Sequence, residues 1–202
     1  MLDRKQCVVV DGARSTAEGV LSGVSQGTVL GPLLFLLHIN DLPAAVSPGT
    51  ECRLFADDCL LYRCITCRLD QIKLQEDLAN LEKWAIRWGM RFNAKKCYVM
   101  TICRRHTQIS HMYQLCGTIL GGVEQEKYLG VLISQDLSWG PHIQKVSISA
   151  NQKLGFLRRN LRGSPSHLKK MAYATIVRPS LEYASIIWDL AWYLSQPKSH
   201  SG

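Results

Sequence analysis

The chain has 202 residues, a formal net charge of +8 and a hydrophobic fraction of 47%. That length suits one domain with a real core, or one domain plus an appendage, and the composition is that of an ordinary globular chain without low-complexity blocks or internal repeats. The opening MLDRKQ is charged and is no secretory signal, and the longest apolar run, residues 29–39, is too short to span a bilayer. An intracellular protein with no membrane partner is therefore expected, with nucleus or cytoplasm left open. Eight cysteines without a leader to an oxidising compartment read as thiols rather than a disulfide framework. Cys64 and Cys67 form a C-x-x-C, but a closed zinc site needs four ligands and no second close pair is in place.

In chain order, residues 6–10 (QCVVV) are a β-branched run ending at Asp11-Gly12, which predicts a strand entering a turn. Residues 29–45 are long and apolar enough to predict a buried helix, with Pro32 in its first turn and Pro48-Gly49 closing the following loop. Two short apolar runs, 52–56 and 59–62, enclose Asp57-Asp58 and predict a β-hairpin with the aspartates at its tip. Asp70 is placed to cap a helix that runs to Trp88, with Leu74, Leu78, Leu81, Ala85 and Trp88 as its buried stripe and Gly89 as its end. Residues 98–102 predict a strand, followed by a basic loop at Arg104-Arg105-His106. Residues 112–116 and 127–134 predict further strands, the second containing Gly130. Ser138 or Trp139 opens a long helix lined by Ile143, Val146, Ala150, Leu154, Leu157 and Leu161. Gly163-Ser164-Pro165 breaks it, a second helix runs to about Val177, and Pro179 begins a third segment. The order implies an α+β fold: most of a split β-α-β-β-α-β unit with its first strand missing, followed by helices.

The net charge is unevenly placed. Residues 137–181 contain no Asp or Glu but carry Lys145, Lys153, Arg158, Arg159, Arg162, Lys169, Lys170 and Arg178. A basic module attached to a balanced one suggests a polyanion, nucleic acid first; a solvated helix surface explains the charge alone equally well.

Asp57 and Asp58 pose a physical question. Adjacent carboxylates repel, and apolar flanks worsen the repulsion. A hard cation would remove it, carboxylate oxygens are natural Mg²⁺ ligands, and two such ions can clamp the attacking and leaving oxygens of phosphoryl transfer. Taken alone, such a pair is most often an exposed turn. Its neighbours change that reading. SGVSQGTVLGPLLFLLHINDLP (22–43), FADD (55–58), WGMRFNAKKCYVM (88–100) and KYLGVLIS (127–134) follow in order. Together they closely resemble the reverse transcriptase domain of non-LTR (LINE-like, jockey/CR1-type) retrotransposons, over residues 6–188.

That resemblance implies a right-hand polymerase palm over residues 1–136, a basic helical thumb-like segment over 137–188, and a divergent tail over 189–202. It implies RNA-directed DNA polymerase activity with Mg²⁺ or Mn²⁺, an RNA template, a DNA primer and dNTP. Asp57 and Asp58 fall on the catalytic metal ligands, and Lys96 falls on the lysine near the departing pyrophosphate, with Lys95 as the alternative. Gly23, Gln26 and Gly27 fall on the loop that holds nucleotide and template; glycines there let backbone approach closely. Tyr128, Leu129 and Gly130 fall on the segment that grips the primer end. Lys145, Lys153, Arg158, Arg159, Arg162, Lys169 and Lys170 would meet the duplex backbone.

The match departs from the family at specific places. The family's other metal-binding aspartate, on an earlier strand, and its fingers have no counterpart, so the two-metal site is incomplete. The usual GVPQGS reads GVSQGT, with Ser25 and Thr28. The chain is therefore expected to be a truncated reverse transcriptase domain, metal-dependent by ancestry and inactive without the upstream polymerase segment. The alternative is a non-catalytic nucleic-acid-binding remnant, or a non-functional fossil.

Overall fold

The computed structural model describes residues 5–20, 23, 27–103 and 111–189. Ser25, Gln26, the Arg104-Arg105-His106 loop and the tail after Asp189 lie outside the described residues. In chain order the elements are β1 (Lys5–Gln6), β2 (Val9–Val10), β3 (Ala13–Arg14), β4 (Glu18–Gly19), α1 (Leu30–Ile39), β5 (Thr50–Phe55), β6 (Asp58–Arg63), α2 (Arg68–Arg87), β7 (Tyr98–Val99), β8 (Gln114–Leu115), β9 (Thr118–Ile119), β10 (Gly121–Gly122), β11 (Gln125–Tyr128), β12 (Val131–Ser134), α3 (Gly140–Asn160), α4 (Ser166–Ala172), α5 (Arg178–Glu182) and α6 (Ser185–Trp188). They form two units that interleave along the chain, Met1–Lys95 with His111–Ile119, and Lys96–Ser110 with Leu120–Gly202. Helices and strands are mixed, as the α+β reading expects. Among the described residues, however, the strands pair only as two-stranded ladders and do not join into one sheet.

The first unit is built on α2. Cys67 is its N-cap, and Asp70, expected as the cap itself, instead sits one turn in and reaches back to the Cys67 amide in a capping box. Its carboxylate also accepts from the Thr66 hydroxyl and amide at 2.7 and 2.9 Å. These bonds, the Thr66 hydroxyl foremost, hold the Asp70 carboxyl far below the usual carboxylate range. At the other end Met90 donates to the Ala85 carbonyl and Gly89 to Ile86, a Schellman closure that requires the left-handed φ of +66° at Gly89. Leu81, Trp84 and Ala85 of α2 form the core with Ile39 and Leu42, while Phe35, Cys52, Leu54 and Leu61 pack around them. Trp84, not Trp88, supplies the buried indole, and its Nε1 donates to Asp41 at 2.9 Å. The β8–β9 hairpin lies along α2: the Gln75 amide exchanges two bonds with the Gln114 backbone, and the Cys116 amide donates to Glu82.

The helix expected over 29–45 is shorter and far less buried. It ends at Ile39, and a separate 3₁₀ turn at Leu42–Ala45 follows, with a proline in its first turn. Leu30, Leu33, Leu36 and Leu37 are about half exposed or more; only Gly31 and Ile39 of α1 are buried. Apolar content signals that a face seeks cover but does not supply it, and two-stranded ladders offer little.

A buried charge ties the β5–β6 hairpin to α2. Asp77 is 1% exposed. It accepts from the Ser47 amide at 2.7 Å, the Ser47 hydroxyl at 3.0 Å and the Thr50 hydroxyl at 2.5 Å. Arg63, opposite Thr50 in the ladder, donates to Thr50 Oγ1 at 2.9 Å and to the Pro48 carbonyl at 3.2 Å, with its Nε 3.6 Å from Asp70.

In the second unit, α3 packs through Ala150 and Leu157 against Val177, with Leu154, Leu161, Ala172 and Leu181 around them. Ile143, expected on that stripe, is 43% exposed, and His142 is buried instead. The chain stays helical from α4 through α5, with one π-helical stretch at Tyr173–Val177. Pro179 explains the widening, since it cannot donate to the carbonyl one turn back and its ring crowds that oxygen. Residues 127–134 are a hairpin rather than one strand: β11 pairs β12 around Leu129 and Gly130, both at positive φ. The same two-residue geometry closes β2–β3 at Asp11-Gly12 and β8–β9 at Cys116-Gly117.

Asp77→Ala strands the Ser47 and Thr50 donors in a buried site and should cost about 3 kcal/mol in urea denaturation, with Asp77→Asn intermediate because one acceptor survives. His142 Nδ1 accepts from the Leu132 amide at 3.1 Å, so that nitrogen must be unprotonated. Burial, then the Lys145 charge, lowers the His142 pKa below 6.5. The folded state thus takes up this proton less readily than the unfolded chain, so the stabilisation is complete above about pH 6.5 and is lost as pH falls through the lowered value. Thermal melts should show Tm flat at neutral pH and declining below that point, with His142→Asn flattening the decline.

Candidate functional site

The aspartates stand where the sequence places them. The β5–β6 register runs from Thr50↔Arg63 to Phe55↔Asp58, so Ala56 and Asp57 form a two-residue turn and Asp58 opens β6. Both carboxylates are exposed. One face of the hairpin, carrying Cys52, Leu54 and Leu61, rests on the α2 core. On the other, Phe55, Leu60 and Tyr62 are 61%, 37% and 47% exposed. The turn is strained at Ala56, with φ of +51°. Hairpin turns with positive φ only at the first turn residue usually place glycine there.

Gly23 and Gly27 both adopt left-handed conformations, φ +90° and +75°. Gln26 between them lies outside the described residues. Thr28 has a structural task, its hydroxyl accepting from the Gly31 amide at 3.0 Å at the start of α1. Lys96 closes a 3₁₀ turn at Ala94–Lys96, and both Lys95 and Lys96 are exposed.

The turn of the β11–β12 hairpin is engaged within its own unit. Tyr183 donates its hydroxyl to the Leu129 carbonyl at 2.9 Å. A Cβ on Gly130 would come within 2.7 Å of the Tyr183 ring, so the glycine is required by this packing as well as by its φ of +89°. His142 braces the neighbouring strand, with its ring edge-on to Trp188 at 5.6 Å.

The cations of the second unit divide by task. Lys153 is half-buried and donates to Ser180; Lys169 donates to the Arg162 carbonyl at 3.1 Å; Arg178 pairs with Glu182 at 2.6 Å. Lys145, Arg158, Arg159, Arg162 and Lys170 are exposed. Arg158 and Arg159 occupy the last turn of α3, where positive charge also suits the helix dipole.

Two exposed, adjacent carboxylates are hard oxygen donors of the kind Mg²⁺ takes, and Mg²⁺ is commonly held by one or two carboxylates completed by water and substrate phosphates. The donor pair therefore fits such an ion. Among the described residues no group of three or more His, Cys, Asp or Glu converges on a metal position, so the pair supplies part of a coordination shell only.

The motif reading overlooked Asp77, although a carboxylate between Leu74 and Leu81 on a helical stripe is a readable signal of a buried polar contact. Nothing in the sequence pointed to Tyr183, His142 or the strain at Ala56.

The family model for reverse transcriptase (RNA-dependent DNA polymerase) matches residues 3–133, and the chain belongs to that family. Its relatives are polymerases of non-LTR retrotransposons. It is 30% identical over 93% of its length to the RNA-directed DNA polymerase from mobile element jockey of Drosophila funebris. Identity is also 30%, over 94% and 93% of the chain, to the probable RNA-directed DNA polymerases from transposon BS and from transposon X-element of Drosophila melanogaster. The chain spans about a fifth of the length of these curated relatives, 21–22%. No solved structure matches it. Among the described residues no helix is long and apolar enough to cross a membrane.

Relief of the strained turn is measurable: Ala56→Gly should stabilise the hairpin by about 1 kcal/mol, read as a raised urea midpoint at unchanged m-value.

Proposed function

We propose that Asp57 and Asp58 are metal-binding carboxylates of an RNA-directed DNA polymerase, and that the helices of the second unit hold its template–primer duplex. The observation that carries this reading is the pair of exposed carboxylates at the tip of a hairpin, one in its turn and one opening β6, whose base is locked to α2. An Mg²⁺ or Mn²⁺ ion bound there would offset their repulsion and polarise phosphoryl oxygens. The hairpin's part is positioning: Asp77 and Arg63 fix its base, and the ladder carries that placement to the tip.

On this reading residues 1–136 are palm and 137–188 are thumb. Gly23, Gln26 and Gly27 line the nucleotide and template, and Lys96 lies by the leaving pyrophosphate, where a cation stabilises developing charge. Tyr128, Leu129 and Gly130 form the primer-side turn. The exposed Lys145, Arg158, Arg159, Arg162 and Lys170 meet phosphates without reading bases, with Lys153 and Lys169 nearby, as suits an enzyme that copies any sequence. The partners are RNA template, DNA primer and dNTP. A second reading, nucleic-acid binding without catalysis, is favoured by one observation: the described carboxylate set is only two.

Primer extension on a primed RNA template separates them. The chain by itself should incorporate dNTP no better than its Asp57→Ala variant, because in-line transfer needs a fuller ligand set than one pair. Joined to the remainder of a full-length relative's polymerase, it should give Mg²⁺-dependent synthesis, abolished by Asp57→Ala and slowed by Lys96→Ala. Synthesis that survives Asp57→Ala would overturn the assignment. Duplex affinity should fall with salt, by about 0.9 in log–log slope per phosphate contact on DNA, and charge reversal of Arg158 and Arg159 should weaken all sequences alike.

A further inference from the structure

Cys52 and Cys59 lie on the face of the β5–β6 hairpin that carries Leu54 and Leu61, Cys52 opposite Leu61 and Cys59 opposite Leu54. They are diagonal neighbours. Such positions normally lie about 7–8 Å apart, just beyond the usual span of a disulfide, although strand twist draws one diagonal closer. Here the side chains have already met, with Sγ to Sγ at 3.6 Å. A disulfide needs ~2.05 Å, so closure draws the two sulfurs about 1.5 Å closer, through rotamer change together with a small movement of the twisted strands. Neither Cys64 nor Cys67 offers this, although their C-x-x-C is the more obvious pair in sequence. Cys67 caps α2 and directs its thiol at the Asp70 carboxylate, 3.5 Å away.

We propose that Cys52 and Cys59 are a redox-active dithiol, a site of reversible disulfide formation by low-molecular-weight disulfides directly beneath the Asp57-Asp58 turn. The division of labour follows from exposure. Cys59 is exposed and receives the oxidant; Cys52 is half-buried against the core. The Cys59 thiolate attacks glutathione disulfide, the glutathione S–S bond breaks, and one glutathione leaves as thiolate and takes up the proton. Cys52 then attacks the Cys59 sulfur of the mixed disulfide, forming the Cys52–Cys59 bond and expelling the second glutathione, which takes up the Cys52 proton. Two cysteine thiols are oxidised and one glutathione disulfide is reduced to two thiols. Because Cys59 directly follows Asp58, the bond staples the strand that bears the second carboxylate.

The test uses the full chain in glutathione buffers of stepped oxidised-to-reduced ratio, quenched with acid, alkylated and mapped by mass spectrometry after trypsin. Arg53 lies between the two cysteines, so tryptic Cys52 and Cys59 peptides stay together only through the bond. The expected result is a Cys52–Cys59 cross-link at ratios where Cys64 and Cys67 remain unlinked. Its yield relative to other pairs should be about tenfold higher in buffer than in concentrated urea, where only chain proximity acts. Cys52→Ser should arrest Cys59 as its glutathione mixed disulfide. Separate glutathionylation of Cys52 and Cys59 in the unmutated chain, earlier closure of Cys64–Cys67, or equal yields in buffer and urea would each overturn the proposal. None of these readouts depends on polymerase activity.

Discussion

The buried carboxylate of Asp77 is the contact on which the first unit depends. Removing an ionised carboxylate from water is costly, and the cost is offset only if its oxygens are satisfied. Ser47 and Thr50 satisfy them with an amide and two hydroxyls, and Arg63 adds positive charge from the far strand. A non-directional apolar contact would let the hairpin slide on α2. This network does not, because moving Thr50 or Arg63 by one register position would strand a buried charge. The hairpin's register and seat on the helix are thereby fixed together.

From that base the hairpin presents a tip whose properties run against stability. Two like charges sit side by side in solvent, and an alanine holds a backbone conformation suited to glycine. Local strain of this kind persists where surrounding structure over-determines it, and the Asp77–Arg63 anchor supplies that. The exposed Phe55, Leu60 and Tyr62 on the outer face, with the exposed leucines of α1, show how much apolar surface this unit leaves in solvent among the described residues.

The second unit solves a different problem, that of packing a highly basic segment. Its like charges repel, and some are drawn into structural work: Lys153 to Ser180, Lys169 to a helix-end carbonyl, Arg178 to Glu182. The exposed remainder, Lys145, Arg158, Arg159, Arg162 and Lys170, keeps its charge in solvent. Tyr183 and His142 meanwhile brace the β11–β12 hairpin at its turn and along β12.

Features that depend on near neighbours are legible in the residue order. Asp57-Asp58 between two short apolar runs meant a hairpin tip, Gly89 meant a helix end, and Asp11-Gly12 meant a tight turn; each is settled by the φ preferences and side-chain character of a few consecutive residues. The family was legible too, because its motifs are short and ordered. Tertiary structure decided what depends on partners far along the chain. Asp77 meets Ser47 across 30 positions and Tyr183 meets Leu129 across 54, and no local pattern encodes which donor will arrive. The helix over 29–45 falls short for the same reason: apolar spacing describes a face that wants burial, whereas burial itself is supplied by whatever packs against it. Gly130 reads in the sequence as a strand glycine, and the pairing of β11 with β12 and the Tyr183 ring against it make it a turn.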